Sequence, residues 1–346
     1  MVIIMQDQVV LGRTGITSPK NAFGALPIQR VDREYAAKLL RKAYHAGFRF
    51  FDTARVYTDS EEKIGYALGD VRHDITIATK TFPGTVEDFW KNLETSLKLM
   101  KTDYIDVYQF HTPDFCPRPG DESGLYDAAL EAKKQGKIRF IGITNHRPHI
   151  AEEAAQSGLY DTIQFPFSYL AGDRDVALVE LCRDRGIGYI AMKALSGGLI
   201  TNSDAAYAWL AQYDNVLPIW GVQRESELDE FIRYFDDPPV LDERIAAIIE
   251  KDRSELTGSF CRSCGYCLPC PAGIRIFNCA RMSQLIRRSP SDALLGDEWR
   301  EAMFNIENCT ECGQCESKCP YDLDIINLLK ANLADYKDIL AGRVSI

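Results

Sequence analysis

Two sets of residues have the types and spacing to do chemistry. The first is cysteine: of eleven in 346 residues, nine fall between Cys261 and Cys319. They form an internal repeat, CRSCGYCLPCPAGIRI from Cys261 and CTECGQCESKCPYDLDI from Cys309. Each half has C-x2-C-x2-C, a fourth cysteine followed by proline, and then a stretch of helical character. Three closely spaced thiolates can wrap one iron–sulfur cubane while a displaced fourth reaches a neighbouring one. Zinc sites use separated C-x2-C pairs, often with histidine, and two runs of three with Cys-Pro do not suit that pattern. The repeat points to two [4Fe-4S] clusters. The second set is polar and spread through the first half of the chain: Asp52, Tyr57, Lys80 and His111. A tyrosine, a lysine, a carboxylate and a histidine can together deliver a proton to a developing alkoxide, provided the fold gathers them.

Gathering them is a matter of where strands end. Short β-rich apolar runs alternate with amphipathic stretches from about residue 21 to residue 235. Strands are expected over Asn21–Pro27, Phe48–Thr53, Ile75–Lys80, Tyr104–His111, Ile138–Thr144, Thr162–Phe165, Ile187–Lys193 and Val216–Gly221. Between them, Arg33–Ala46 has helical period, with Tyr35, Ala36, Leu39, Leu40 and Ala43 expected inward. Gly47, Gly136 and Gly186 stand where helices should stop. Eight strand–helix pairs make a (β/α)8 barrel of the α/β class, which carries its chemistry at the C-terminal strand ends. An open doubly wound sheet would show a glycine-rich fingerprint after its first strand, and FGALPIQR is not one. Asp52, Lys80, His111, Asn145, Gln164 and Lys193 all fall at or near strand ends, with Tyr57 in the following loop. Singly, Asp52 could cap a helix and His111 could be a satisfied rim histidine. Together they indicate a site.

Composition narrows the setting. Hydrophobic residues make up 46% and charged residues 26%, a globular balance. A net charge of −10 argues against nucleic acid and anionic membrane as partners. No apolar run has transmembrane length. The N-terminal MVIIMQDQVV lacks a basic leader and a cleavage site, so it reads as mature sequence. Clustered cysteines in such a chain indicate metal in a reducing compartment, and a cytoplasmic location is expected.

The segment GFRFFDTARVYTDSEEKIGYAL resembles the signature of the aldo-keto reductase family, and IATK, DVYQFH, IGITN and TIQFPFSYL resemble its later blocks in order. The resemblance runs from about Leu11 to Phe235, and LGRTGI is similar to the hairpin that plugs the lower end of that family's barrel. It implies an NAD(P)H-dependent oxidoreductase acting on a small carbonyl or alcohol, with Asp52, Tyr57, Lys80 and His111 as its tetrad. Tyr57 would be the proton donor, since a nearby cation can stabilise its phenolate. Lys80 would supply that charge, Asp52 would hold Lys80, and His111 would orient the carbonyl oxygen.

The same resemblance implies the dinucleotide contacts. Thr144, Asn145 and Gln164 match the nicotinamide carboxamide contacts, and Met192, next to Lys193, stands where many relatives place an aromatic ring. The run Ala194–Gly198, with Leu195, Ser196 and Gly198, matches the loop under the pyrophosphate. At the adenosine end, Gly221 leads into Arg224, which is crowded by Glu225, Glu227, Asp229 and Glu230. Glu230 matches an adenine contact. Acid beside a ribose favours a free 2′-hydroxyl, so NADP(H), expected on family grounds, and NAD(H) both stay open.

The repeat resembles two-cluster ferredoxins of the α-helical type. That resemblance gives Cys261, Cys264, Cys267 and Cys319 to one cluster and Cys309, Cys312, Cys315 and Cys270 to the other. The Cys267–Cys270 interval is one residue shorter than Cys315–Cys319. Pro271–Arg288 and Asp324–Leu329 read as helix, Cys279 as a buried thiol, and Cys116, in the loop after His111, as a thiol outside the site. The expected organisation is a reductase barrel over residues 1–250 and a small, mostly α-helical ferredoxin-like domain over 251–346. Hydride carries two electrons and each cluster takes one, so the clusters either couple to a redox partner protein or stabilise the chain. The alternative function is an electron-transfer or redox-sensing partner that uses the barrel as a scaffold.

Overall fold

The computed structural model describes residues 8–256, 260–288 and 292–344. The N-terminal stretch read as mature sequence lies mostly outside the described residues. The chain divides into two compact units, one running to Ala194 and resuming over Tyr207–Leu241, the other made of Leu195–Ala206 and the residues from Asp242 onward.

In the first unit, β1 (Gln8–Val10) and β2 (Thr17–Pro19) form an antiparallel hairpin. Eight parallel strands then close into a barrel: β3 (Ala22–Gly24), β4 (Phe50–Asp52), β5 (Thr76–Thr81), β6 (Ile105–His111), β7 (Ile138–Thr144), β8 (Thr162–Pro166), β9 (Gly188–Met192) and β10 (Val216–Gly221). The connecting helices are α1 (Arg33–Ala46), α2 (Ser60–Leu68), α3 (Val86–Met100), α4 (Leu125–Lys134), α5 (Pro148–Ser157), α6 (Asp173–Asp184) and α7 (Ser203–Leu210), with α8 (Glu225–Ile232) after the last strand. Val9 and Leu11 of the hairpin bury against Ala22, Phe50, Val107 and Leu217, near the strand starts, and fill that end of the barrel.

The local chemistry explains the boundaries. Asp32 caps α1 by accepting from the Tyr35 amide, and Gly47 ends it in a left-handed conformation with φ 115°. Gly136 and Gly186, with φ of 74° and 62°, serve the same end. The first strand stops before Pro27, which lacks an N–H and opens a 3-10 turn instead. The seventh stops at Met192, because Lys193 turns to φ 56° and leaves the sheet. Ala36, Leu39, Leu40 and Ala43 bury as expected, but Tyr35 is only half-buried. Its hydroxyl accepts the Glu225 amide at the start of α8, so an amphipathic ring caps a second helix.

The second unit contains α9 (Glu243–Leu256), α10 (Ile276–Cys279), α11 (Met282–Arg288), α12 (Asp297–Phe304), α13 (Gln314–Ser317) and α14 (Ile325–Leu340). Its core joins Ile276, Cys279, Met282 and Met303 to Ile325, Leu329, Leu333 and Tyr336 of α14. The single helix expected over Pro271–Arg288 is instead two. Gly273 turns to φ 68° before α10, and the chain breaks again at Ala280–Arg281. Buried Asn332 satisfies that break, accepting from the Ser283 amide at 2.9 Å and donating to the Ala280 carbonyl at 3.3 Å. The helix expected over Asp324–Leu329 begins one residue later, capped by Asp324, and continues to Leu340.

Candidate functional site

At the C-terminal strand ends, β4 delivers Asp52, β5 delivers Lys80 and β6 delivers His111, while Tyr57 lies in the loop between β4 and α2. Lys80 is 1% exposed and Asp52 2%. The Lys80 ammonium donates to Asp52 Oδ1 and to the Thr53 carbonyl, each at 2.6 Å, and lies 5.2 Å from the centroid of the Tyr57 ring. Two of its three N–H groups thus meet acceptors within the chain. Burial pushes the Asp52 carboxyl up, and the Lys80 charge opposes it. Burial likewise pushes the Tyr57 phenol up against Lys80, so the phenol keeps its proton at neutral pH. The His111 ring lies edge-on to Tyr57 with centroids 5.9 Å apart. Burial and the Lys80 charge hold His111 down to about 3, so its imidazole is neutral.

Gln164 lies below this group. It donates to Asp52 Oδ1 at 3.4 Å and accepts from Gln109 at 2.8 Å. Gln109 was not singled out in the sequence, although it stands two residues before His111 and so shares its face of β6. Gly142 makes room for it: a Cβ there would lie 2.8 Å from Gln109 Cγ and 2.4 Å from Thr162 Oγ1. A second omission is the buried Glu61, which accepts from Thr79 at 2.7 Å, Ser96 at 2.8 Å and the Arg55 guanidinium. Arg55 also donates to the Thr58 carbonyl at 3.3 Å, which ties down the loop carrying Tyr57. Thr58 holds φ 41° there, an uncommon conformation for a β-branched residue.

The residues expected at the nucleotide are dispersed. Thr144 and Asn145 are buried, with Thr144 Oγ1 4.0 Å from Met192 Sδ. Asn145 donates to the Pro113 carbonyl at 2.8 Å and accepts from the amides of His146 and Arg147. Much of the Asn145 amide is therefore used inside the protein, as is that of Gln164. His146, also passed over in the sequence, lies within electrostatic reach of His111 and Lys193. Gly221 ends β10 and is exposed, as are Arg224 and Glu230. Arg224 pairs with Glu227 at 2.6 Å. The acidic crowding read from the sequence is relieved from another element, since Lys38 and Lys42 of α1 pair with Glu225 at 2.6 and 2.8 Å. Lys42 also pairs with Asp229 at 2.5 Å. Leu195, Ser196 and Gly198 belong to the second compact unit. Ser196, Gly197 and Gly198 all have positive φ, and the Gly198 amide donates to the Leu195 carbonyl at 2.9 Å.

The eight motif cysteines all lie within the second unit, with Cys267 near cysteines of both motifs. Cys267, Cys270, Cys309, Cys312 and Cys315 line one cavity. Cys261 lies within electrostatic reach of Cys264 and Cys319, and Cys267 within reach of Cys261, Cys264 and Cys315. The two C-x2-C-x2-C turns are the same shape: Ser263 and Gly265 in the first, Glu311 and Gly313 in the second, are left-handed on either side of the middle cysteine. Alternation of this kind points amides inward and is used at iron–sulfur sites. Burial and the neighbouring thiols push Cys267 up to about 12, an arrangement that a metal resolves by taking thiolates. Among the described residues no three of these side chains close on a single metal ion. Cys279 is fully buried against the Ala302 carbonyl, and Cys116 is buried with its thiol pushed up by burial. No helix among the described residues is long and apolar enough to cross a membrane.

Comparison with known proteins places these features. A model of the Aldo/keto reductase family matches residues 20–206, and a model of the 4Fe-4S dicluster domain matches residues 260–324. The chain is 30% identical to L-galactose dehydrogenase of Arabidopsis thaliana over 55% of its own length and 66% of that protein's. It is 32% identical to a methylglyoxal reductase of Salmonella typhi over 57% of its length and 75% of that protein's. An aldo-keto reductase from Klebsiella pneumoniae, solved with NADPH, shares the fold at TM-score 0.61 and 21% identity, covering 72% of this chain and 95% of that one. With residues 20–206 of 346 under the family's own description and the barrel closed around them, the chain belongs to the aldo/keto reductase family and carries a 4Fe-4S dicluster domain behind its barrel.

Proposed function

We propose that the chain is an NAD(P)H-dependent oxidoreductase that reduces a small carbonyl compound, with Tyr57 as general acid. The observation that carries this reading is the buried Lys80, which pairs with Asp52, donates to the Thr53 carbonyl and lies beside the Tyr57 ring. The bound dinucleotide supplies the hydride. The protein supplies the proton: Tyr57 keeps it until negative charge develops on the substrate oxygen, and Lys80 then stabilises the phenolate left behind. Asp52 keeps Lys80 charged and aimed. Neutral His111 donates a hydrogen bond to the carbonyl oxygen without competing for the role of acid. Thr144, Asn145, Gln164, Met192 and Lys193 are proposed for the nicotinamide, Leu195, Ser196 and Gly198 for the pyrophosphate, and Gly221, Arg224 and Glu230 for the adenosine. Cys261, Cys264, Cys267 and Cys319 are proposed to hold one [4Fe-4S] cluster, and Cys309, Cys312, Cys315 and Cys270 the other. The clusters store electrons singly, which suits exchange with a redox partner.

The relatives' names suggest aldehydes and sugars as first substrates. The test is anaerobic oxidation of NADPH and NADH by the purified, cluster-loaded chain with methylglyoxal, short aldehydes and aldoses, and reduction of NADP and NAD by the corresponding alcohols. Turnover with at least one pair is expected. Tight nucleotide binding with no turnover on any of them would overturn the reading in favour of a scaffold.

A further inference from the structure

The break between α10 and α11 places Arg281 in the interior of the second unit, 3% exposed. Its guanidinium donates to the Gly197 carbonyl at 2.7 Å, and its Nε has no hydrogen-bond partner. Among the described residues no carboxylate lies within ion-pair distance of it. Arg288, seven residues on, is treated differently, pairing with Asp252 at 2.9 Å and Glu255 at 2.6 Å. A buried cation left without an anion is strongly unfavourable, so an anion is expected beside it. Cys261 Sγ lies 4.0 Å from the carbonyl of Phe277, four residues before Arg281, and the thiol is within electrostatic reach of the guanidinium. A cubane held by four thiolates is a net anion.

We propose that Arg281 is the protein's counter-cation to the cluster held by Cys261, Cys264, Cys267 and Cys319, and that it raises that cluster's reduction potential. One-electron reduction by an external donor adds one negative charge to the cluster, and a fixed cation close by favours the reduced form. Arg281 is a positioning and electrostatic residue, not a ligand. Its hydrogen bond to the Gly197 carbonyl helps hold the charge in place. Arg262, the immediate neighbour of Cys261, is a poorer candidate: it is only half-buried and lies over the Tyr321 ring, 4.3 Å from the centroid, where water screens its charge.

The inference rests on the two-cluster reading of the cysteines, and the experiment separates the two. Iron and acid-labile sulfide are measured on the anaerobically prepared full chain, and its clusters are titrated with dithionite under electron paramagnetic resonance, alongside Arg281→Gln, Arg281→Lys and Arg262→Gln. Close to eight irons per wild-type chain is expected from two four-iron clusters; a chain with none would overturn the two-cluster reading itself. With clusters loaded, Arg281→Gln should lower the equilibrium constant for reducing one cluster about tenfold, or about 59 mV for a one-electron couple, and leave the other unchanged. Arg281→Lys and Arg262→Gln should stay within about threefold of wild type. Should Arg281→Gln lose one cluster while Arg281→Lys keeps both, the counter-charge role is supported. Unchanged potentials in a loaded Arg281→Gln chain, or equal cluster loss in both Arg281 variants, would overturn it.

Discussion

Two buried cations, one in each compact unit, are handled in opposite ways. Lys80 pairs with a carboxylate and donates to a backbone carbonyl, so its charge is balanced once the chain folds. Arg281 reaches a single backbone carbonyl and has no carboxylate within ion-pair distance among the described residues. A group built to hold an inorganic anion looks like this when only the protein is counted, whereas a group built to move a proton looks like Lys80. The difference separates a site whose charges balance within the chain from one that balances only when its cofactor is present.

The contrast breaks most severely at Lys80. Lys80→Met leaves Asp52 as a buried carboxylate without a cation and should cost about 3–5 kcal/mol of barrel stability, read from chemical denaturation. An unchanged midpoint would mean that the pair is not maintained as ions. The next effect in size concerns how the complete site is held. Glu61→Gln weakens the grip on Arg55 and hence on the Tyr57 loop, so kcat should fall about tenfold to a hundredfold while the dissociation constant for nucleotide stays put. A matching loss in nucleotide affinity would assign Glu61 to general packing.

A smaller effect probes the adenosine end. Because Lys38 and Lys42 neutralise Glu225 and Asp229, NADPH and NADH should differ less than about a hundredfold in affinity, roughly 2.8 kcal/mol. A larger ratio, in either direction, would show that the remaining Arg224–Glu227 pair governs the choice. The smallest effect is in pH. His111 is held near 3 when folded and returns towards 6.5 when unfolded. The unfolded chain therefore binds a proton that the folded chain does not, and the stability due to neutral His111 is full above about pH 6.5 and lost as pH falls towards 3. Replacing His111 by Gln should remove roughly one proton from the uptake on unfolding near pH 5, measured from the slope of stability against pH. An identical slope would show that His111 is already charged in the folded protein.

The parts of this organisation legible in the sequence are those written in short-range pattern. Strand period and stop-signal glycines gave the barrel. Strand ends placed Asp52, Lys80 and His111 on one rim, and the repeated cysteine spacing marked a thiol-rich module after the barrel. What escaped depends on contacts between distant segments. Lys38 and Lys42 lie nearly two hundred positions from Glu225, so the acidic run after Gly221 reads as unrelieved until α1 is seen against α8. The break at Arg281 escaped because Pro271–Arg288 has helical composition, and only the buried guanidinium and Asn332 explain why the chain turns. Gln109 was within reach of the pattern, since strand period alone puts it beneath His111.

The proton-donor role of Tyr57 is the central claim, and one comparison tests it most directly. Wild-type and Tyr57→Phe chains, both cluster-loaded and anaerobic, are mixed with saturating NADPH and an aldehyde that the wild type turns over, and loss of reduced nicotinamide is followed alongside the nucleotide dissociation constant. The account predicts that Tyr57→Phe binds nucleotide as wild type does but reduces the aldehyde about a hundredfold to ten-thousandfold more slowly. Retention of most of the wild-type rate would contradict it and move the proton to another donor.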